Sequence, residues 1–282
     1  MSEQFPSAAP EMIAIDGKTS RRSHDRGAGK RALHLVSAFA SHEQLVLGQE
    51  AVDEKSNEIK AIPALLQRLT ITGALVSIDA IACNAKIAQT ILDAGGDYLL
   101  AVKGNQATLE QEIRSYFETA PEAELQTLSL LDKDHGRLET RTHRLAKKLD
   151  WLRGERHYPG EPRFPNLKAI AMVETQIEKQ GQTTRAKRYY ITSADLDPER
   201  FARAVRSHWA IENSLHWVLD VAFKEDLSRL RAGHGATNMA IVRHFALNLV
   251  RQAKDKRSIK TRRKRAGWDT SYLKAILNPE PC

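Results

Sequence analysis

Phe201 to Asp226 reads FARAVRSHWAIENSLHWVLDVAFKED, a stretch that predicts one helix. Asp197 is placed to cap its N-terminus, with Pro198 at the first helical position. Val205, Trp209, Leu215 and Leu219 recur at helical spacing on one stripe, so both Trp209 and Trp217 are expected in the core. Glu212 sits in the middle of that stripe, with His208 and His216 four residues to either side. An ionised carboxylate on a core-facing stripe is costly unless a cation or hydrogen-bond donors receive it. Either a buried basic side chain meets Glu212 or a metal ion does.

Working outward, two aspartates end apolar runs. MIAIDGKT reads as a strand ending in Asp16 and Gly17, and ALVSIDA as a buried strand ending in Asp79. Between them ALHLVSAFA and QLVLGQEAV are two further strands, joined too closely for crossover helices, which implies an antiparallel meander. Ser56 can cap the helix NEIKAIPALLQRL, with Pro63 inside it. After Asp79, Asn84 caps AKIAQTILDAG, DYLLAVKGN is a strand, and Thr108 with Gln111 forms a capping-box pattern for LEQEIRSYF. The order β-β-β-α-β-α-β-α is that of a ribonuclease H-like mixed sheet flanked by helices. In that fold strands one and four are neighbours, so Asp16 and Asp79 are expected to converge, with Glu212 completing the site.

A β-rich insertion precedes the catalytic helix. HGRLETRTHRLA alternates, placing Arg137, Glu139, Arg141 and His143 on one face. KAIAMVETQIEKQ and TTRAKRYYITS form a hairpin, and WLRGERHYPGEPRFP is loop-rich. The expected organisation is a disordered leader at 1–10, core at 11–119, the insertion at 120–193, core again at 194–250, and a basic tail at 251–282. In the helix GHGATNMAIVRHFALNLVRQ, Met239, Val242, Phe245, Ala246 and Leu249 are expected to face inward.

The 282 residues carry a net charge of +8. Between Arg251 and Arg265 there are nine Lys or Arg against one acid, Asp255, a balance equal to the whole excess. A second cluster, Lys18, Arg21, Arg22, Arg26, Lys30 and Arg31, is opposed by Asp25. Two such clusters favour a polyanion partner. Cys83 and Cys282 suggest neither a disulfide framework nor a zinc site and fit the cytoplasm. No apolar run approaches a membrane span and the N-terminus lacks a secretory pattern, so no membrane partner is expected. Three crowded carboxylates repel one another unless divalent cations neutralise them. Mg²⁺ suits such oxygen ligands and pairs with phosphate, so the expected chemistry is phosphodiester hydrolysis or transesterification. The absence of a glycine-rich phosphate loop disfavours a small-phosphate enzyme.

IAIDGK, ALHLVSAFA, VDEKSNEI, VSIDA, GGDYLLAVKGNQ, HGRLETR and HWAIENSLHWVLDVAF followed by ED carry a resemblance. Over about residues 11 to 277 the chain resembles the DDE transposases of the ISAs1 insertion-sequence family, including the H-repeat-associated proteins. The resemblance implies a catalytic triad of Asp16, Asp79 and Glu212 holding Mg²⁺, with Mn²⁺ able to substitute. It also implies cleavage and strand transfer at the terminal inverted repeats of double-stranded DNA by a homodimer, in a bacterial protein associated with the nucleoid when bound. Two departures stand out. Members carry an associated N-terminal domain, whereas here the first catalytic strand comes almost at once, so DNA-end recognition or assembly is expected to suffer. The broader IS4-like group has Tyr, Arg and Lys around the helical Glu, where this chain has Val205, His208 and Leu219. His208, His216 or Arg206 is then expected to take the phosphate contact. Lys103, Arg137 and Arg141 are further candidates for DNA, weighed against a solvated strand end and against pairing with nearby acids. Arg262, Arg263, Lys264 and Arg265 are expected to bind phosphates without reading sequence. The competing readings are a DNA-binding transposase remnant without activity and a structure-selective nuclease.

Overall fold

The computed structural model describes residues 12–52, 57–134, 137–153 and 164–278. The leader, Ser56, Cys282 and most of the loop after Trp151 lie outside the described residues. In chain order the strands are β1 Met12–Thr19, β2 His34–Ala40, β3 Leu45–Ala51, β4 Leu75–Ile78, β5 Asp97–Val102, β6 Gln126–Asp134, β7 Arg137–Ala146, β8 Ala169–Lys179 and β9 Gln182–Thr192. The helices are α1 Glu58–Leu66, α2 Ala85–Asp93, α3 Ala107–Thr119, α4 Asp150–Arg153, α5 Pro198–His208, α6 Trp217–Phe223, α7 Gly235–Gln252, α8 Ile259–Trp268 and α9 Thr270–Leu277. The fold is mixed α/β. Thr70–His208, together with Met12 and Ile13, form one compact unit; Ala14–Leu69 and the residues from Trp209 onward form the other.

In the first unit β4 and β5 run parallel, Leu75 opposite Asp97 and Ile78 opposite Leu100. β9 joins β5 in antiparallel register, Leu99 opposite Thr192. The ladder continues antiparallel through β8, β7 and β6. The β-rich stretch is therefore bonded strand by strand to β5. Thr192 Oγ1 donates to Tyr98 O at 2.7 Å, and Ser193 Oγ donates to Asp97 Oδ1 at 2.6 Å, satisfying polar groups where β9 ends in the core. The β8–β9 turn falls on Gln180 and Gly181, both with positive φ, so Lys179 pairs with Gln182. Arg137, Glu139, Arg141 and His143 share one face of β7, as the alternation predicts, and His143 meets Phe201 edge to face at 5.9 Å. Phe201, Ala204 and Val205 of α5 pack with Leu99, Leu145, Val173 and Tyr190. Asp197 caps α5 through Arg200 N at 2.7 Å, and Asn84 caps α2 through Lys86 N at 2.8 Å. The capping box at Thr108 does not form. A 3-10 turn at Gly104–Gln106 runs straight into α3, which starts at Ala107.

In the second unit the strand order is β3-β2-β1, with β2 and β3 antiparallel. Its core joins Ala14 and Phe39 to Ile211, Leu215, Leu219, Leu247, Val250 and Ile276. Three sequence expectations fail here. The single helix from Phe201 breaks: α5 ends at His208, Ile211–His216 is a π-helical turn, α6 follows, and Lys224 ends it in the left-handed conformation. The wider turn shifts the register, so Ile211, Leu215 and Leu219 line the core while Trp209 and Trp217 are 44% and 61% exposed. On α7 the inward stripe is Ala236, Ala240, His244, Leu247 and Val250, whereas Met239, Val242 and Phe245 are exposed. Apolar residues line α7 on more than one face, and its small alanines permit the closer packing. The basic tail is structured as α8 and α9, which pack on α7.

The register of α7 has a measurable consequence. Leu247→Ala is expected to cost about 2–5 kcal/mol in denaturant unfolding, and Val242→Ser to change stability by no more than about 0.5 kcal/mol. The reverse ranking would restore the stripe read from sequence.

Candidate active site

Asp16 follows the fully buried run Ile13–Ala14–Ile15 on β1, which carries its carboxylate out at the edge of the core. Gly17 is required by close approach. A Cβ there would lie 2.2 Å from Glu58 Oε1 and 2.8 Å from His34 Nε2. His34 in turn bonds Glu58 at 2.7 Å and Thr19 Oγ1 at 2.7 Å. The glycine of IDGK thus makes room for the α1 carboxylate beside Asp16.

Glu212 and His216 both lie on the π turn, closed by Trp217 N–H donating to Glu212 O. His216 is 5% exposed. Its Nδ1 stands 3.4 Å from Glu212 Oε2 and 3.7 Å from Asp16 Oδ2. One donor atom from each of Asp16, Glu212 and His216 lies within 4.8 Å of the others. Burial raises the Asp16 carboxyl to about 7, against a hydrogen bond from the Gly17 backbone and with the help of Glu212 and Glu58. Burial lowers His216, against the pull of Glu212. The buried Nε2 of His216 has no hydrogen-bond partner among the described residues.

The nearest lysine is engaged elsewhere. Lys18 Nζ lies 2.9 Å from Asp220, 3.6 Å from Glu225 and 3.5 Å from Asp226. Burial opposes its charge, but the hydrogen bond of Asp220 and the three acids raise its pKa overall. Glu225, 2% exposed, also faces Arg243 at 3.8 Å. The left-handed Lys224 turns Glu225 and Asp226 back onto Lys18. Asp220, Glu225 and Asp226 thus hold Lys18. A cleft of about 450 Å³ opens beside the donor set, lined by Gly17, Lys18, Thr19, Arg21, Glu212, His216, Trp217 and Asp220. Carboxylates, an imidazole and basic side chains around open space can hold a cation together with a phosphate.

In the other unit, Asp79 directly follows β4 and accepts from Ala80 N at 2.7 Å. Sequence reasoning missed the residues that hold this turn. Asn105 Nδ2 donates to Ala80 O, and Gln106 Nε2 donates to Cys83 O at 3.0 Å. The GNQ after β5 was the available signal. Lys103 is exposed at the end of β5. His208 Nδ1 and Ser77 Oγ are 2.8 Å apart, and Arg206 is exposed on α5. Arg137 and Arg141 both pair with Glu139, itself 7% exposed, so acid pairing engages the charges read as a DNA channel. The basic run is also divided. Arg262 turns inward to Val250 O at 2.9 Å and to Asp255 at 2.8 Å. Arg263 lies over Phe223, and Arg265 pairs with Asp269 at 3.0 Å and lies over Tyr272. Lys264 is exposed.

A family profile described as "Transposase DDE domain" matches residues 7–249, and the chain belongs to that family. Transposases of this kind use a divalent metal, and the Asp16, Glu212 and His216 donors fit one. Among relatives, "Putative transposase YncI" of Escherichia coli O157:H7 is 41% identical over 271 residues, 95% of this chain and 69% of that protein. "H repeat-associated putative transposase YhhI" of Escherichia coli strain K12 is 38% identical over 274 residues, 95% of this chain and 71% of that protein. Among the described residues no helix is long and apolar enough to cross a membrane.

The raised Asp16 carboxyl sets a pH dependence. The folded state holds this proton up to about pH 7, whereas an unfolded Asp loses it near pH ~3.9. The folded state therefore binds more protons across that window, and the metal-free protein loses stability as pH rises through it. Asp16→Asn should flatten this slope and raise the melting temperature of the metal-free protein at pH 8. Millimolar Mn²⁺ should stabilise the wild type at pH 8 and leave Asp16→Asn nearly unmoved in the same thermal scans.

Proposed function

We propose that the chain is the catalytic domain of a DNA transposase on a ribonuclease H-like scaffold, cleaving DNA at insertion-sequence ends so that the freed 3′-hydroxyl attacks a target phosphodiester and the target's own 3′-oxygen leaves. The observation that carries this reading is the Asp16–Glu212–His216 donor set beside a cleft flanked by Lys18 and Arg21. The β3-β2-β1 order and the parallel β4–β5 pair support the scaffold. Asp79 is the third carboxylate of the proposal, on the strength of the VSIDA motif.

Asp16 and Glu212 would hold a divalent ion, and Asp79 would share in it. When bound, that ion supplies an activated water or hydroxyl nucleophile and stabilises the leaving oxygen. Arg21, its side chain largely exposed, stands where the cleft can take a phosphate, and the exposed Trp217 offers a flat face for an unstacked base. Lys103, Arg206 and Lys264 are exposed and suited to backbone contacts with double-stranded DNA. The proposal extends to paired ends held by a homodimer.

Nicking of DNA that carries the element's terminal repeats, in Mn²⁺, tests the reading. Asp16→Asn, Asp79→Asn and Glu212→Gln should each lower the rate by at least about 100-fold, since losing even outer-shell partners of a metal costs 10–100-fold. Equal cutting of DNA without repeats would support a structure-selective nuclease instead. Trp217→Ala should weaken cleavage while leaving the melting temperature unchanged, because the ring is largely solvent-exposed.

A further inference from the structure

Resting on that reading of the site, we infer that His216 is itself a metal ligand, making the centre a mixed nitrogen–oxygen site that favours Mn²⁺ over Mg²⁺. The sequence offered His216, alongside His208 and Arg206, for the phosphate contact; the structure sets its Nδ1 beside the Asp16 and Glu212 carboxylates.

The distances fit an ion shared by the three groups. Charge-assisted hydrogen bonds from nitrogen to carboxylate run about 2.7–2.9 Å, shorter than the 3.4 Å and 3.7 Å from Nδ1 to Glu212 and Asp16. Ligands around one ion with bonds of about 2.1 Å stand roughly 3.0 Å apart at adjacent octahedral corners and roughly 4.2 Å apart across the ion. Both observed spacings fall in that interval. Glu212 and His216, four residues apart on the π turn, share one face. Such turns recur at functional sites.

The ring is also held as a ligand would be. His216 is 5% exposed, directs Nδ1 to the two carboxylates and leaves Nε2 in the interior without a hydrogen-bond partner among the described residues. His244, 6% exposed, adjoins it electrostatically, and its Nδ1 is likewise unpartnered among the described residues. Lys18, Arg243 and Asp220 are the other charges acting on these two rings. Lys18 is already held by its three acids and cannot replace an ion between Asp16 and Glu212. Mg²⁺ is bound through oxygen and retains its waters, so replacing an oxygen ligand by an imidazole nitrogen costs it more than it costs a first-row transition ion such as Mn²⁺.

Pulsed electron paramagnetic resonance of Mn²⁺ bound to the tag-free full chain reads the ligand directly. The wild type should show a directly bonded nitrogen whose frequency changes when histidine is ¹⁵N-labelled. His216→Asn, which offers an oxygen near the Nδ1 position, should lose that signal, still bind Mn²⁺, and show a several-fold smaller Mn²⁺ over Mg²⁺ preference by titration. Mn²⁺ binding that depends on Asp16 and Glu212 but shows no nitrogen, or a nitrogen signal that survives His216→Asn, overturns the inference and leaves the proposed function standing. Binding indifferent to Asp16→Asn and Glu212→Gln overturns both. Should His216→Asn not fold, the labelled wild type alone decides whether a histidine nitrogen is bound.

Discussion

The organising constraint in the second unit is the capture of Lys18 by Asp220, Glu225 and Asp226. An ammonium one turn of strand from two crowded carboxylates would ordinarily neutralise them. Here three other acids take that charge, and a left-handed Lys224 turns two of the three back to reach it. Asp16 and Glu212 are left facing each other and a largely buried imidazole. In metal-free protein burial of Asp16, reinforced by the neighbouring Glu212 and Glu58 carboxylates, holds its proton up to about pH 7. The unfavourable charge becomes useful once a divalent cation enters.

The π turn serves the same end by packing rather than by charge. Ile211, Leu215 and Leu219 must face Phe39, Leu247 and Val250, while Glu212 and His216 must point together toward Asp16. Trp209 is exposed at the break before the turn, and Trp217, after it, is exposed beside the cleft. Gly17 answers a similar demand on β1, where any side chain would displace the Glu58–His34 pair.

Positive charge follows a different logic from the one its density suggests. Arg262 closes the C-terminal end of α7 and binds Asp255, whose carboxyl is held low by the Tyr272 hydroxyl and by neighbouring arginines. Arg265 and Arg263 lie against aromatic rings, and Arg251 is buried among backbone carbonyls, which pushes its pKa down to about 10. Part of the basic run is therefore the mortar of a helical module, and fewer of its charges remain outward than a count implies.

The amino-acid order alone determined the strands other than β6, the caps at Asn84 and Asp197, the β8–β9 hairpin, and an Asp16 directly after the apolar run of β1, whereas Glu212, read as core-facing, has a side chain 50% exposed. These depend on local periodicity and turn chemistry, which neighbouring residues largely set. The tertiary structure decided the rest. It selected which apolar face of α7 turns inward, broke the long helix into a π turn, set Asn105 and Gln106 on the turn after Asp79, and directed Lys18 away from Asp16. Each of those outcomes turns on which groups from distant parts of a unit compete for the same space or the same charge, a competition that spacing along the chain does not record.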